Sequence, residues 1–122
     1  MAFDSPKAYA QLLRIWLLPT AWADVLVGAF LSHKPVFRTL LAALALSSCL
    51  YLFGMVSNAI FDLPFDSKNY PERPLPSGKV SLKKAFSLAG ALLVVAPLPW
   101  LSLPPLARIW AVLLLSLVLL YN

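Results

Sequence analysis

Sulfur, imidazole and charge are all scarce in this sequence. A single cysteine, Cys49, inside an apolar stretch, excludes an internal disulfide and a zinc site built on a cysteine pair. It reads as packing against lipid or a neighbouring helix. The one histidine, His33, stands beside Lys34 in a short turn and reads as solvated rather than catalytic. Only 12% of the 122 residues are charged, five of them acidic, against 61% hydrophobic, and the mean hydropathy is +0.80. That balance excludes an ordinary water-soluble globular domain and puts the chain in the membrane class. The formal net charge of +5 rests on Lys and Arg lying mostly between apolar runs, which suits phospholipid headgroups. With no nucleic-acid motif and no single basic face, nucleic acid is not an expected partner. No internal repeat, low-complexity segment or soluble domain is visible.

Hydrophobic runs are the plentiful feature. A helix rising 1.5 Å per residue needs about 20 apolar residues to cross a hydrocarbon layer of about 30 Å. Four runs meet or approach that length, at about 10–31, 37–63, 82–104 and 106–122. The expected fold is therefore all-α, a polytopic transmembrane bundle with about four spans present. Pro97 and Pro99 remove backbone donors from the third run and should bend or end it. The opening "KAYAQLLRIWLLPTAWAD" has the outline of a signal peptide, but Arg14 and Pro19 interrupt its apolar core, and the run continues as a retained span would. The final "LVLLYN" reads as a chain cut in or just after a helix, so residues 1–122 are expected to be the front part of a longer domain. Lys7, Arg14, Lys68, Arg73, Lys79, Lys83 and Lys84 on one side outnumber Lys34, Arg38 and Arg108 on the other. By the positive-inside rule the N-terminus and the long second loop face the cytoplasm.

That loop follows the one place where acids and bases crowd together, "NAIFDLPFDSKNYPERPLPSGKVS", residues 58–81. Asn58, Asp62 and Asp66 are spaced by four, and four helical steps advance a side chain by about 400°, so the three share a face. Pro64 lies between the acids and weakens that inference for Asp66. Two carboxylates this close repel unless a cation lies between or before them. Hard oxygen donors suit Mg²⁺, which commonly bridges carboxylates to a phosphate-bearing ligand. Arg73 adds a planar fork for phosphate oxygens, and Lys68 and Lys79 add point charges. The structural alternative is that these are solvated groups marking the membrane boundary. Arg14, near the inner end of the first run, reaches the same anionic group or snorkels to the headgroups. Asp24 lies mid-span, where a charge calls for a bundle-facing position. Phe53, Phe61 and Phe65 are apolar neighbours of the acids, and Gly54 offers close helix approach.

The pattern N-x-x-x-D-x-x-x-D at Asn58, Asp62 and Asp66, with "RPLPSGKVS" beginning seven residues after the last acid, resembles the first aspartate-rich motif and following loop of the UbiA superfamily of intramembrane prenyltransferases. "PERPLPSG" is closer to the branches that include geranylgeranylglyceryl phosphate and chlorophyll synthases than to the hydroxybenzoate branch. The resemblance implies an enzyme of about nine spans, each of about 20 residues. It would move an isoprenyl group from an isoprenyl diphosphate to an aromatic or other lipophilic acceptor, with Mg²⁺ as cofactor. Carried over by position, Asn58, Asp62 and Asp66 are metal and diphosphate ligands, the two acids being catalytic. Arg73 is a diphosphate contact, and Tyr121 is the tyrosine of a fourth-helix motif whose lysine would fall beyond Asn122. The sequence departs from the pattern at Ala59, where many members carry Asp, and at Tyr70, where many carry Arg nearby. A soluble isoprenoid synthase also uses aspartate-rich helices, but its helices have a polar outer face that is lacking here. The alternative of another class is a non-catalytic membrane protein that keeps the motif to bind isoprenoid or lipid, or to assemble with a partner.

Overall fold

A computed structural model describes residues 5–32 and 36–121. His33, Lys34 and Asn122 lie outside the described residues. The elements are α1 (Pro6–Leu13), a 3₁₀ turn (Ile15–Leu17), α2 (Leu18–Leu31), α3 (Phe37–Phe61), α4 (Leu63–Asn69), α5 (Leu82–Val95), α6 (Pro97–Leu101) and α7 (Pro105–Tyr121).

The first apolar run is not one straight helix. The Ser5 hydroxyl caps α1 by accepting from Ala8 N–H at 3.2 Å, and Pro6 fits the first turn, where no donor is needed. The helix ends at Arg14, which adopts a left-handed conformation (φ 46°, ψ 49°) while its N–H returns to the carbonyls of Ala10 and Gln11. The axis turns by 46° between α1 and the continuation through α2. Arg14 therefore sits at a break, not near the end of a continuous span.

α3 is the centre of the bundle and packs on α1, α2, α5, α6 and α7. Its 25 residues contain no proline. Polar ties join it to α2: Trp22 Nε1 donates to Ser48 Oγ at 2.8 Å, and Ser47 Oγ donates to the Ala21 carbonyl at 3.0 Å. In a hydrocarbon setting such bonds are worth about 0.6 kcal/mol on average. Gly54 faces α7, where an added Cβ would meet Val118 Cγ1 at 3.5 Å, an ordinary van der Waals separation. Gly54→Ala should therefore fold, and gain up to about 1 kcal/mol from the lower backbone entropy of alanine in a helix. Thermal denaturation in detergent checks this, and a clear loss of stability would refute room for a Cβ between α3 and α7.

Beyond α3 the backbone bonding pattern survives Pro64. Asp62 N–H donates to the Asn58 carbonyl at 2.8 Å, Asp66 N–H to Asp62 at 2.8 Å, and Tyr70 N–H to Asp66 at 2.7 Å. Pro64 occupies the first turn of α4, where its missing donor costs least. The loop after α4 closes on itself through Ser77 N–H to the Arg73 carbonyl (2.9 Å) and Val80 N–H to Pro74 (3.0 Å). Gly78 takes φ 72°, a conformation that suits glycine alone without strain. Leu75 and Val80 anchor the loop in a core shared with Leu12, Phe53, Val56 and Ala85. Val80 is 1% exposed, and burying such a side chain contributes about 1.5–3 kcal/mol. Ser81 then caps α5 by accepting from Lys84 N–H.

α3 and the 20-residue stretch Leu82–Leu101 are each long and apolar enough to cross a membrane, and α1 with α2 makes a third if the bent pair is one span. Pro97 interrupts the Leu82–Leu101 stretch by only one residue. α7 is apolar but has 17 residues, about 25 Å, a little less than the hydrocarbon thickness. Between α6 and α7 the turn is clasped by side chains. Arg108 donates to the carbonyls of Leu103 (2.8 Å) and Leu101 (2.6 Å), and Trp100 Nε1 donates to the Arg108 carbonyl at 3.2 Å. The exposed faces of α2 and α7 are mostly apolar, with Thr20 and Asp24 exposed on α2 and Ser116 on α7; Asp24 is thus not turned into the described bundle, as its mid-span place had suggested.

Candidate functional site

The continuous bonding from α3 into α4 keeps Asn58, Asp62 and Asp66 one turn apart along one line. Asn58 Nδ2 donates to Asp62 Oδ2 at 2.9 Å. The Asn58 Oδ1 and the second Asp62 oxygen thereby keep their lone pairs for another ligand. Asp66 is 4% exposed, and both its oxygens accept from Arg73 Nη1, at 2.7 and 2.8 Å. The Arg73 guanidinium also lies 4.2 Å over the Tyr70 ring. The hydrogen bond to Asp66 raises the Arg73 pKa above the usual guanidinium value against the opposing effect of burial, so this cation is charged at any working pH.

A small polar pocket of about 80 Å³ opens beside these groups. Arg14 and Gln11 line it from the end of α1, Asn58 from α3, Asp66 from α4, and Arg73 and Pro74 from the loop. A second pocket, of about 400 Å³, is lined by Asn58 and Arg14 again, with Gly54, Leu117 and Tyr121. Asn58 and Arg14 thus stand at the junction of the two. A wholly apolar cavity of about 210 Å³, between Leu46, Leu50, Leu93 and Leu115, lies two or more turns of α3 away from Asn58 and offers no polar group.

The expected site residues fall into three groups. Asn58, Asp66, Arg73 and Arg14 meet at the small pocket, and Tyr121 joins Arg14 and Asn58 at the larger one. Asp62 touches Asn58 but does not line either pocket. Lys68 and Lys79 are exposed, and Lys79 reaches the Glu72 carbonyl at 3.4 Å. Phe53 is buried in the core, while Phe61 and Phe65 are each 60% exposed. Sequence reasoning missed Tyr70 as the platform for Arg73, although their spacing of three in a turn was a usable signal. It also missed Gln11, which lines the pocket from the last turn of α1.

Among the described residues no three His, Cys, Asp or Glu side chains gather around a common point. The donor set is instead one amide and two carboxylates, all oxygen, which suits a hard cation that keeps several waters. Asn58 and Asp62 have donor capacity to spare, and Asp66 shares its oxygens with Arg73. The residues fit Mg²⁺ as part of a coordination shell completed by a ligand.

Residues 16–122 match the UbiA prenyltransferase family. The chain belongs to that family. It is 36% identical over 115 residues to digeranylgeranylglyceryl phosphate synthase of Ignicoccus hospitalis, covering 94% of this chain and 37% of that protein. It is 33% identical over 91 residues to the Methanocaldococcus jannaschii protein of the same name, covering 73% and 32%. A 58-residue stretch is 45% identical to the chloroplastic 2-acylphloroglucinol 4-prenyltransferase of Humulus lupulus, covering 47% of this chain and 14% of that one. No solved structure matches. The chain spans about a third of the length of the archaeal relatives. Apolar helices of spanning length in a UbiA-family chain make this an integral membrane protein.

Proposed function

We propose that this chain is the N-terminal part of an intramembrane, Mg²⁺-dependent prenyltransferase, with the polar pocket on the cytoplasmic side holding the diphosphate of an isoprenyl donor. The observation that supports this most is the meeting of Asn58, Asp66, Arg73 and Arg14 at one small pocket, at the end of apolar helices. Asn58, Asp62 and Asp66 would hold Mg²⁺ through oxygen. Bound there, the metal supplies neutralisation of the charge that builds on the departing diphosphate. Arg73 and Arg14 would donate hydrogen bonds to phosphate oxygens, with Lys68 adding longer-range positive charge. The allylic carbon–oxygen bond breaks with its electrons leaving on the diphosphate. The acceptor then bonds to the allylic carbon and loses a proton. Tyr121, beside Arg14 and Asn58 in the larger pocket, stands where the reacting end of the chain would lie. Likeness to the archaeal synthases favours a prenylated glyceryl phosphate as acceptor, and likeness to the hop protein keeps an aromatic acceptor in the comparison.

The test is a transfer assay of the full-length protein in liposomes. Isoprenyl diphosphates of several lengths are offered with geranylgeranylglyceryl phosphate or an aromatic acceptor. Product should form with Mg²⁺ and fall to background with EDTA, and metal-independent transfer would refute the metal roles. Residues 1–122 alone should be inactive, lacking most of the length of the relatives.

A further inference from the structure

Arg14 is the one non-glycine residue with positive φ among the described residues. Left-handed backbone costs a residue with a Cβ about 1–2 kcal/mol, which glycine would avoid, so neighbouring contacts must hold the break. The Arg14 carbonyl accepts two hydrogen bonds. One, from Leu17 N–H at 2.9 Å, belongs to the local 3₁₀ turn. The other comes from the Tyr51 hydroxyl on α3, at 3.0 Å and 37 residues away in sequence. Tyr51 lies two helical turns before Asn58, on the strip of α3 that also presents Met55 to both pockets. In an uninterrupted α1, residue 14 would follow the helical rotation of its neighbours. The left-handed turn redirects its side chain to the place where the two pockets meet.

We infer that Tyr51 is a positioning residue for the donor diphosphate. Its hydroxyl pins the α1 break so that the Arg14 guanidinium is presented to the phosphate oxygens, without Tyr51 itself touching the ligand. This rests on the diphosphate reading of the site.

The experiment measures binding of a non-reactive isoprenyl thiolodiphosphate to the full-length protein in liposomes with Mg²⁺, alongside steady-state kinetics. Tyr51→Phe keeps the ring and removes one neutral hydrogen bond, so affinity should fall about fivefold. KM should rise by a similar factor while kcat changes less than about twofold. Arg14→Gly should lose about tenfold or more in affinity, as expected for a charge-assisted contact, yet melt no lower, since glycine accepts the left-handed turn. In the Arg14→Gly background, Tyr51→Phe should add no further loss. An unchanged affinity in Tyr51→Phe, or an equal loss in the glycine background, would overturn the assignment. A wild-type protein that fails to bind the analogue would remove the diphosphate reading and this assignment with it. Normal wild-type binding with no Tyr51 effect removes the assignment alone.

Discussion

Asp62→Ala in the full-length protein should lower prenyl transfer by at least about 10²–10³-fold, the scale seen when a group that stabilises transition-state charge is removed. The fold should barely notice. Asp62 is half-buried, and its carboxylate accepts a hydrogen bond from Asn58 worth about 1 kcal/mol. Asp62→Asn should fail almost as badly, because it keeps the shape while removing the charge that a cation requires. Turnover with kcat near wild type in either variant would take this acid out of the chemistry.

The largest stability effect is expected for Arg73→Ala, which strands a carboxylate that is 4% exposed. Breaking a buried ion pair costs about 3–5 kcal/mol. The lower end applies here, because the Arg73 side chain is 36% exposed and water screens that side. Loss of the contact with Tyr70 adds about 0.5–1 kcal/mol. Because one nitrogen of Arg73 serves both Asp66 oxygens, Arg73→Lys should recover part of the ion pair but not the Tyr70 contact. The double variant Asp66→Leu with Arg73→Met should recover much of the stability, since replacing both partners leaves no unpaired charge. It should not recover prenyl transfer. Unfolding in detergent set beside the transfer assay separates these outcomes, and an Arg73→Ala protein as stable as wild type would show that the pair holds nothing together.

The helical class, the central span and the acidic line were legible because they rest on hydropathy and on a spacing of four. Pro64 was expected to weaken the line at Asp66. It does not, because it falls in the first turn of α4, where a missing donor is harmless. The break at Arg14 carried no signal, since neither glycine nor proline stands there and the conformation is tied to a hydroxyl 37 residues away. For the same reason one long span was read where the axis turns by 46°. Arg73 was assigned to phosphate from its planar fork and its place in the motif. Its bond to Asp66 depends on how the loop folds back when Leu75 and Val80 enter the core, and composition does not reveal that. The fourth run is helical from Pro105 through Tyr121, the last described residue, as its unbroken hydropathy suggested.

The Trp100–Arg108 clasp bears on the order in which the helices come together. Its partners are eight or fewer residues apart, and segments of about 10 residues close in about 10–100 ns, long before distant helices can meet. The turn between α6 and α7 can therefore be set by its own side chains before either helix packs on α3.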